Sequence, residues 1–257
     1  MTEFLQFGHR ARFLIVTLPR SGSYHLASLL GSAPDVTCLG ELYKPTAIEL
    51  PPDLRRRVGL APHETAIRDA DPVGYLARVM AQCDAPVFGF KEFITRLNLC
   101  GMSKHTLTSM SWQKIFLTRN PIRKYLSLQR AIETGRFTKL HPAEEVGDNV
   151  VVRFDAKLFD ETVRLDRRLR HRFKMLKSRR PRRNMALDYR DLSDPAKLDR
   201  VLGFISAETK ASALTSVYFR QNPLPFEDSI ADFDTMVRHA REAGLDAELE
   251  DAANPLA

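Results

Sequence analysis

The chain has 257 residues, 44% apolar and 28% charged, long enough for a sizeable core and unlike a disordered or membrane-embedded sequence. Its formal net charge of +7 favours anionic partners: nucleotides, nucleic acid, acidic glycans or a membrane surface. Three scattered cysteines, Cys38, Cys83 and Cys100, exclude a disulfide framework and a paired-cysteine metal site, and no run approaches the ~20 apolar residues of a membrane helix.

The first residues, MTEFLQFGHRARFLIV, lack the layout of a secretion signal, because the apolar run is short and follows charges. The expected location is the cytoplasm, with a peripheral position at the inner membrane face also open to so basic a chain. Phe13–Thr17 is a continuous apolar run and predicts a strand buried on both faces. Leu26, Leu29 and Leu30 at helical spacing predict a helix over 23–31. VTCLGELYKP reads as a short strand ending near Gly40, and the Pro-rich stretch 51–70 as irregular or partly helical. Asp71–Pro72 opens a helix to residue 83, PVFGFKEFI (86–94) is a strand, and WQKIFLTR (112–119) is another, with Trp112 assigned to the core.

Residues 120–135 form a well-marked helix, with Asn120 at the N-cap, Pro121 in the first turn and Gly135 at the end. A polar loop over 136–150 leads to a long amphipathic helix over 155–180. A strand and its exit (184–192), a helix (194–205) and a last helix near 230–243 complete the chain. Strands alternating with helices predict a single α/β domain over 1–257, its mainly parallel sheet flanked by helices.

Two places could bind anions. LPRSGSYHL (18–26) joins a strand to a helix, where free amides and the helix dipole favour negative charge. Gly22 allows close approach of a ligand, Ser21 and Ser23 add hydroxyls, and Arg20 adds a fixed charge. The GxxxxGK[ST] phosphate loop is missing, which disfavours an ATPase or GTPase. The second place is Arg119 at a strand end, with Ser127 eight residues on in the next helix. Ligands of open α/β sheets bind at that edge.

PRSGSYHL resembles the 5′-phosphosulfate loop of PAPS-dependent sulfotransferases, and LTRNPIRKYLSLQRA resembles their 3′-phosphate motif. LDYRDLSDPAKLDRVLGFI is similar to the run that follows in many members. SVYFRQNP with IADFD resembles the C-terminal part of the bacterial carbohydrate, Nod-factor-type branch. The likeness spans 13–45, 86–135 and 184–240. The cytosolic branch carries Lys in the first loop where this chain has Arg20.

The resemblance implies a nucleotide-loop (P-loop-like) sulfotransferase architecture. The activity it implies moves a sulfuryl group from PAPS to a hydroxyl of a carbohydrate or glycolipid, giving PAP without a metal. Arg20, Ser21, Gly22, Ser23, Tyr24, His25, Arg119, Ser127 and Arg220 would bind the nucleotide. Glu41 stands where the bacterial branch has its base, His25 is the rival base, and Lys91 and Arg20 would assist at the transferring group. Residues 46–85 and 136–180 match nothing in the family and fall where acceptor choice is expected; 136–183 is read as an acceptor-side loop and basic helix insertion. The charge run 164–183 is either a solvated helix face or a track for an anionic surface; it lacks the aromatic interleaving of a nucleic-acid binder. A kinase-like phosphotransferase and a non-enzymatic anion- or nucleic-acid-binding protein remain the alternatives.

Overall fold

The structure, a computed structural model, describes residues 8–137, 150–218 and 225–253. Five strands form one sheet: β1 (Ala11–Thr17), β2 (Val36–Glu41), β3 (Val87–Phe93), β4 (Gln113–Thr118) and β5 (Asn184–Asp188), in the order β2-β3-β1-β4-β5. All four pairings are parallel. The C-terminal ends of the strands therefore lie together at one edge of the sheet.

Ten α-helices are described: α1 (Ser23–Gly31), α2 (Pro52–Val58), α3 (Thr65–Ala70), α4 (Pro72–Ala81), α5 (Ile94–Leu99), α6 (Pro121–Thr134), α7 (Ala156–Arg179), α8 (Pro195–Phe204), α9 (Phe233–Glu242) and α10 (Asp246–Ala253). The mainly parallel sheet flanked by helices is the expected class. Strand alternation divides the core. Phe13 and Ile15 of β1 face α1 and α8, packing with Leu26, Leu30, Val201 and Leu202. Leu14 and Val16 face the other side, with Tyr75 and Val79 of α4, Leu54 of α2, and Leu169 and Leu176 of α7. Trp112 is 1% exposed and meets the rings of Phe88 and Phe90 edge-on.

The punctuation of α6 is as its sequence predicts. Asn120 Oδ1 accepts from the amides of Ile122 and Arg123 at 2.9 and 3.1 Å, and Gly135 ends the helix in the left-handed region at φ 67°. A buried ion pair between Lys124 and Asp166, with Arg170 on the second carboxylate oxygen at 2.6 Å, fastens α6 to α7. Two helices add to the expected set. α5, six residues long, is too short to show a period, and α10 lies beyond the last periodic stretch.

Gly89 sits in register with Phe13, and a Cβ on it would lie 2.3 Å from the Phe13 ring. Gly89→Ala would overpack this centre. The expected cost is about 1–3 kcal/mol, read as a lower urea midpoint at unchanged slope.

Candidate active site

The loop after β1 turns twice through the left-handed region, at Arg20 (φ 65°) and Gly22 (φ 78°). Gly22 is the N-cap of α1, and no side chain caps the first turn. Ser21 is fully buried, and its Oγ has no hydrogen-bond partner among the described residues. Leaving a buried hydroxyl unsatisfied costs about 1–3 kcal/mol, so uncapped amides beside it mark a place built for an acceptor-rich ligand.

The two candidate anion sites form one cluster. Arg20 Nε donates to Ser127 Oγ at 2.9 Å, and its Nη1 donates to the Phe137 carbonyl. Arg119 Nη1 donates to the Arg20 carbonyl at 3.2 Å. The Arg119 guanidinium lies 4.2 Å from the ring centroid of Tyr189, and the same ring presses on Gly22, where a Cβ would come within 2.5 Å of Cδ2. Gly22 is thus fixed twice, by its φ and by the ring. Burial, and then the neighbouring charge of Arg119, pull the pKa of Arg20 down to about 10. Two cations held this close favour an anion between them.

A second cluster is joined to the loop through Tyr24 in the first turn of α1. Lys91 of β3 is fully buried and pairs with Glu41 at the end of β2. The pairing depends on a bulge: Leu39 matches Phe90, Gly40 is the extra residue, and Glu41 matches Lys91. Tyr24 O–H donates to Glu49 at 2.6 Å, with Glu41 also within reach at 3.2 Å, and the Lys91 ammonium lies 3.6 Å from the Tyr24 ring centroid. Lys44 pairs with Glu49 at 2.9 Å. Burial lowers the pKa of Lys91, against the pull of Glu41, and burial with the two carboxylates raises that of Tyr24. A chain of contacts, with the Tyr24 hydroxyl between two carboxylates and a lysine at each end, therefore runs from the buried Lys91 to the partly exposed Lys44.

His25 lies apart from this line. Its Nδ1 is 2.9 Å from Ser216 Oγ, and burial lowers its pKa. Ser23 is buried in the first turn of α1. Arg220 lies outside the described residues. The sequence reading missed Glu49, Glu92 and the placement of Tyr189. Glu49 comes from a Pro-rich stretch without a period, and nothing local marks it. Among the described residues there is no metal-binding group of three His, Cys, Asp or Glu, and no helix is long and apolar enough to cross a membrane.

Two solved structures match this architecture along nearly their whole length. The sulfotransferase domain from the curacin biosynthetic pathway is 14% identical, with a TM-score of 0.55 over 95% of this chain and 97% of that one. The sulfotransferase from Alicyclobacillus acidocaldarius is 16% identical, with a TM-score of 0.53 over 95% and 96%. The chain has the sulfotransferase fold. No family model matches the chain, and no curated protein does. In this sulfotransferase fold the loop and Arg119 stand just beyond the C-terminal ends of strands, Glu41 is the last residue of β2, and Lys91 lies two residues before the end of β3.

Glu92 follows Lys91 and points to the other face of the sheet, where it accepts from the amides of Tyr43 at 2.9 Å and Phe93 at 3.0 Å. Burial raises its pKa to about 7. Below that value the folded chain keeps a proton that the unfolded chain releases near its ordinary 4.5. Stability should therefore fall as pH rises from about 4.5 to 7, by about 3 kcal/mol at most. Urea titrations across that range should show the decline in wild type, and Glu92→Gln should lack that component whatever its absolute stability.

Proposed function

We propose that this protein transfers a sulfuryl group from PAPS to a hydroxyl of a carbohydrate or glycolipid acceptor and releases PAP. The observation that carries the reading is the convergence of Arg20, Ser127 and Arg119 on the uncapped start of α1, beside the unsatisfied Ser21 hydroxyl. The fold supports sulfuryl transfer in general; the donor and the acceptor class are our reading. A phosphosulfate fits these residues: the loop amides and Ser21 offer donors, and Gly22 keeps the backbone open to close approach. Arg119 and Ser127 would take the 3′-phosphate, with the Arg119 fork suited to bidentate contact.

In the transfer, the bond from sulfur to the phosphate oxygen breaks and a bond from sulfur to the acceptor oxygen forms. Arg20 and the first-turn amides stabilise the charge that gathers on the departing phosphate. The acceptor hydroxyl gives its proton to Glu41, whose direction is held by Lys91 and Tyr24. Lys91, paired with Glu41, is also the cation nearest the reacting carboxylate. A kinase-like reading finds less support, since the phosphate loop lacks the Walker lysine.

We place acceptor choice in residues 46–85 and in the 136–183 loop and basic helix of what we take to be one domain. Several cations of the basic run serve the fold itself. Arg170 pairs with Asp166, Lys177 donates to the carbonyls of Pro181 and Asn184, and Arg180 donates to that of Thr108. Arg168, Arg172, Lys174 and Arg179 remain exposed on α7 for an anionic surface.

PAP should raise the melting temperature without added metal, by the equivalent of about 2.7 kcal/mol at a hundred times its Kd. Calorimetric titration should show PAP preferred over AMP, and Arg119→Ala with Ser127→Ala should erase most of that preference. A preference that survives the double change would place the 3′-phosphate elsewhere.

Glu41→Gln should lower kcat by ~10²–10⁴-fold and leave PAP affinity nearly unchanged. The change also leaves Lys91 buried without its anion, so the melting temperature is measured alongside. A kcat within a few-fold of wild type would make Glu41 structural.

A further inference from the structure

A second polar site lies at the opposite edge of the sheet. A cavity of about 260 Å³ is lined by Arg10 and Arg12 at the entry to β1, Gln113 at the start of β4, Arg183 just before β5, and Ser206 just after α8. The strands are parallel, so this is the N-terminal edge. The seven residues of β1 separate it from the loop by about 20 Å, at ~3.3 Å per residue. One small ligand does not reach both.

Positive charge collects here beyond what the fold neutralises. Arg10 is satisfied by Glu208, by the Ser206 carbonyl at 2.7 Å and by Asp35 at 3.8 Å. The guanidinium groups of Arg12 and Arg183 have no hydrogen-bond or ion-pair partner among the described residues, and Arg12 is half-buried, with its pKa lowered by that burial. Behind them Lys114 is fully buried, donates to the Ser109 carbonyl at 2.5 Å and has no carboxylate partner among the described residues. Burial first, then the charges of Arg180 and Arg183, hold its pKa down to about 8. The half-buried Arg12 and the exposed Arg183, without counter-charge among the described residues, favour whatever anion the cavity admits.

We propose that this cavity binds a small tetrahedral oxyanion of the phosphate class, gripped between the guanidinium groups of Arg12 and Arg183. The planar forks match the paired oxygens of such an anion. With a water's share near ~30 Å³, the space suits one oxyanion and a few waters, and it is small for a whole nucleotide. The anion could be free inorganic phosphate or the phosphate group of a small ester. The proposal is independent of sulfuryl transfer.

The test uses the full chain labelled at arginine Nε with ¹⁵N. Inorganic phosphate, glycerol phosphate and sodium chloride are titrated at matched ionic strength. Saturable shifts are expected at Arg12 and Arg183 with phosphate and not with chloride. Equal affinity for the ester means that the phosphate group alone is read; tighter binding of the ester means that the physiological ligand is a phosphate ester. In Arg12→Gln with Arg183→Gln, where those reporters are gone, the phosphate affinity read by calorimetric titration should fall at least about tenfold from the wild-type value measured the same way, while Arg20→Gln should leave the shifts in place. No saturable response at Arg12 and Arg183 in the wild type would overturn the proposal, and so would an equal response to chloride or an unchanged affinity in the double variant. The wild-type arm stands even if the double variant folds poorly. A parallel titration with PAP separates the two readings: if PAP fails to bind while the phosphate shifts persist, only the sulfotransferase reading is lost.

Discussion

Lys91 is fully buried near the end of a strand inside the sheet, and its charge has to be met there. Stripping a buried ion pair of one partner costs about 3–5 kcal/mol, so the position of Glu41 is as constrained as that of any core residue. The partner arrives through a single extra residue in β2. Without the bulge at Gly40, Glu41 would fall opposite Glu92 rather than Lys91. A Cβ at Gly40 would come within 2.6 Å of Glu49 Oε1, so a side chain there would displace the Glu49 carboxylate from its place beside Tyr24. The carboxylates, the Tyr24 hydroxyl and the two lysines then follow from one another.

The loop site works by the opposite logic. Here the fold brings two like charges, Arg20 and Arg119, together and leaves the Ser21 hydroxyl without a hydrogen-bond partner among the described residues, beside uncapped amides. The cost of holding like charges close is met by rigid supports: the Tyr189 ring under Arg119 and the Lys124–Asp166 pair that anchors the helix carrying Ser127. Local strain and unsatisfied polarity are concentrated where a ligand would relieve them.

A parallel sheet has two unlike edges, and this chain places charge at both. At the C-terminal edge the amides of a helix start face the loop and add to the cations. At the N-terminal edge the cations stand with less help from the backbone. The carbonyl end of α8 is there, and it serves Arg10 and Gln113 through the carbonyls of Ser206 and Phe204.

Local physics was enough to read much of this protein from its sequence. The apolar run 13–17 marked a strand covered on both sides, because a parallel sheet leaves no wet face. Asn120, Pro121 and Gly135 marked the limits of a helix, because capping acts within a few residues. The loop over 18–23 was legible for the same reason: a strand, a glycine and a helix start occur within one short stretch. What the sequence left open was everything that depends on residues meeting across the fold. Arg20 and Ser127, 107 residues apart, are joined in one cluster only when β1 and β4 pair. Glu49 and the stacked position of Tyr189 have no local signal, and α5 was too short to show a period. Register decided the catalytic candidate: a side chain's face alternates with each residue, so one bulged glycine determines which strand neighbour Glu41 meets, and no local pattern around Glu41 carries that information.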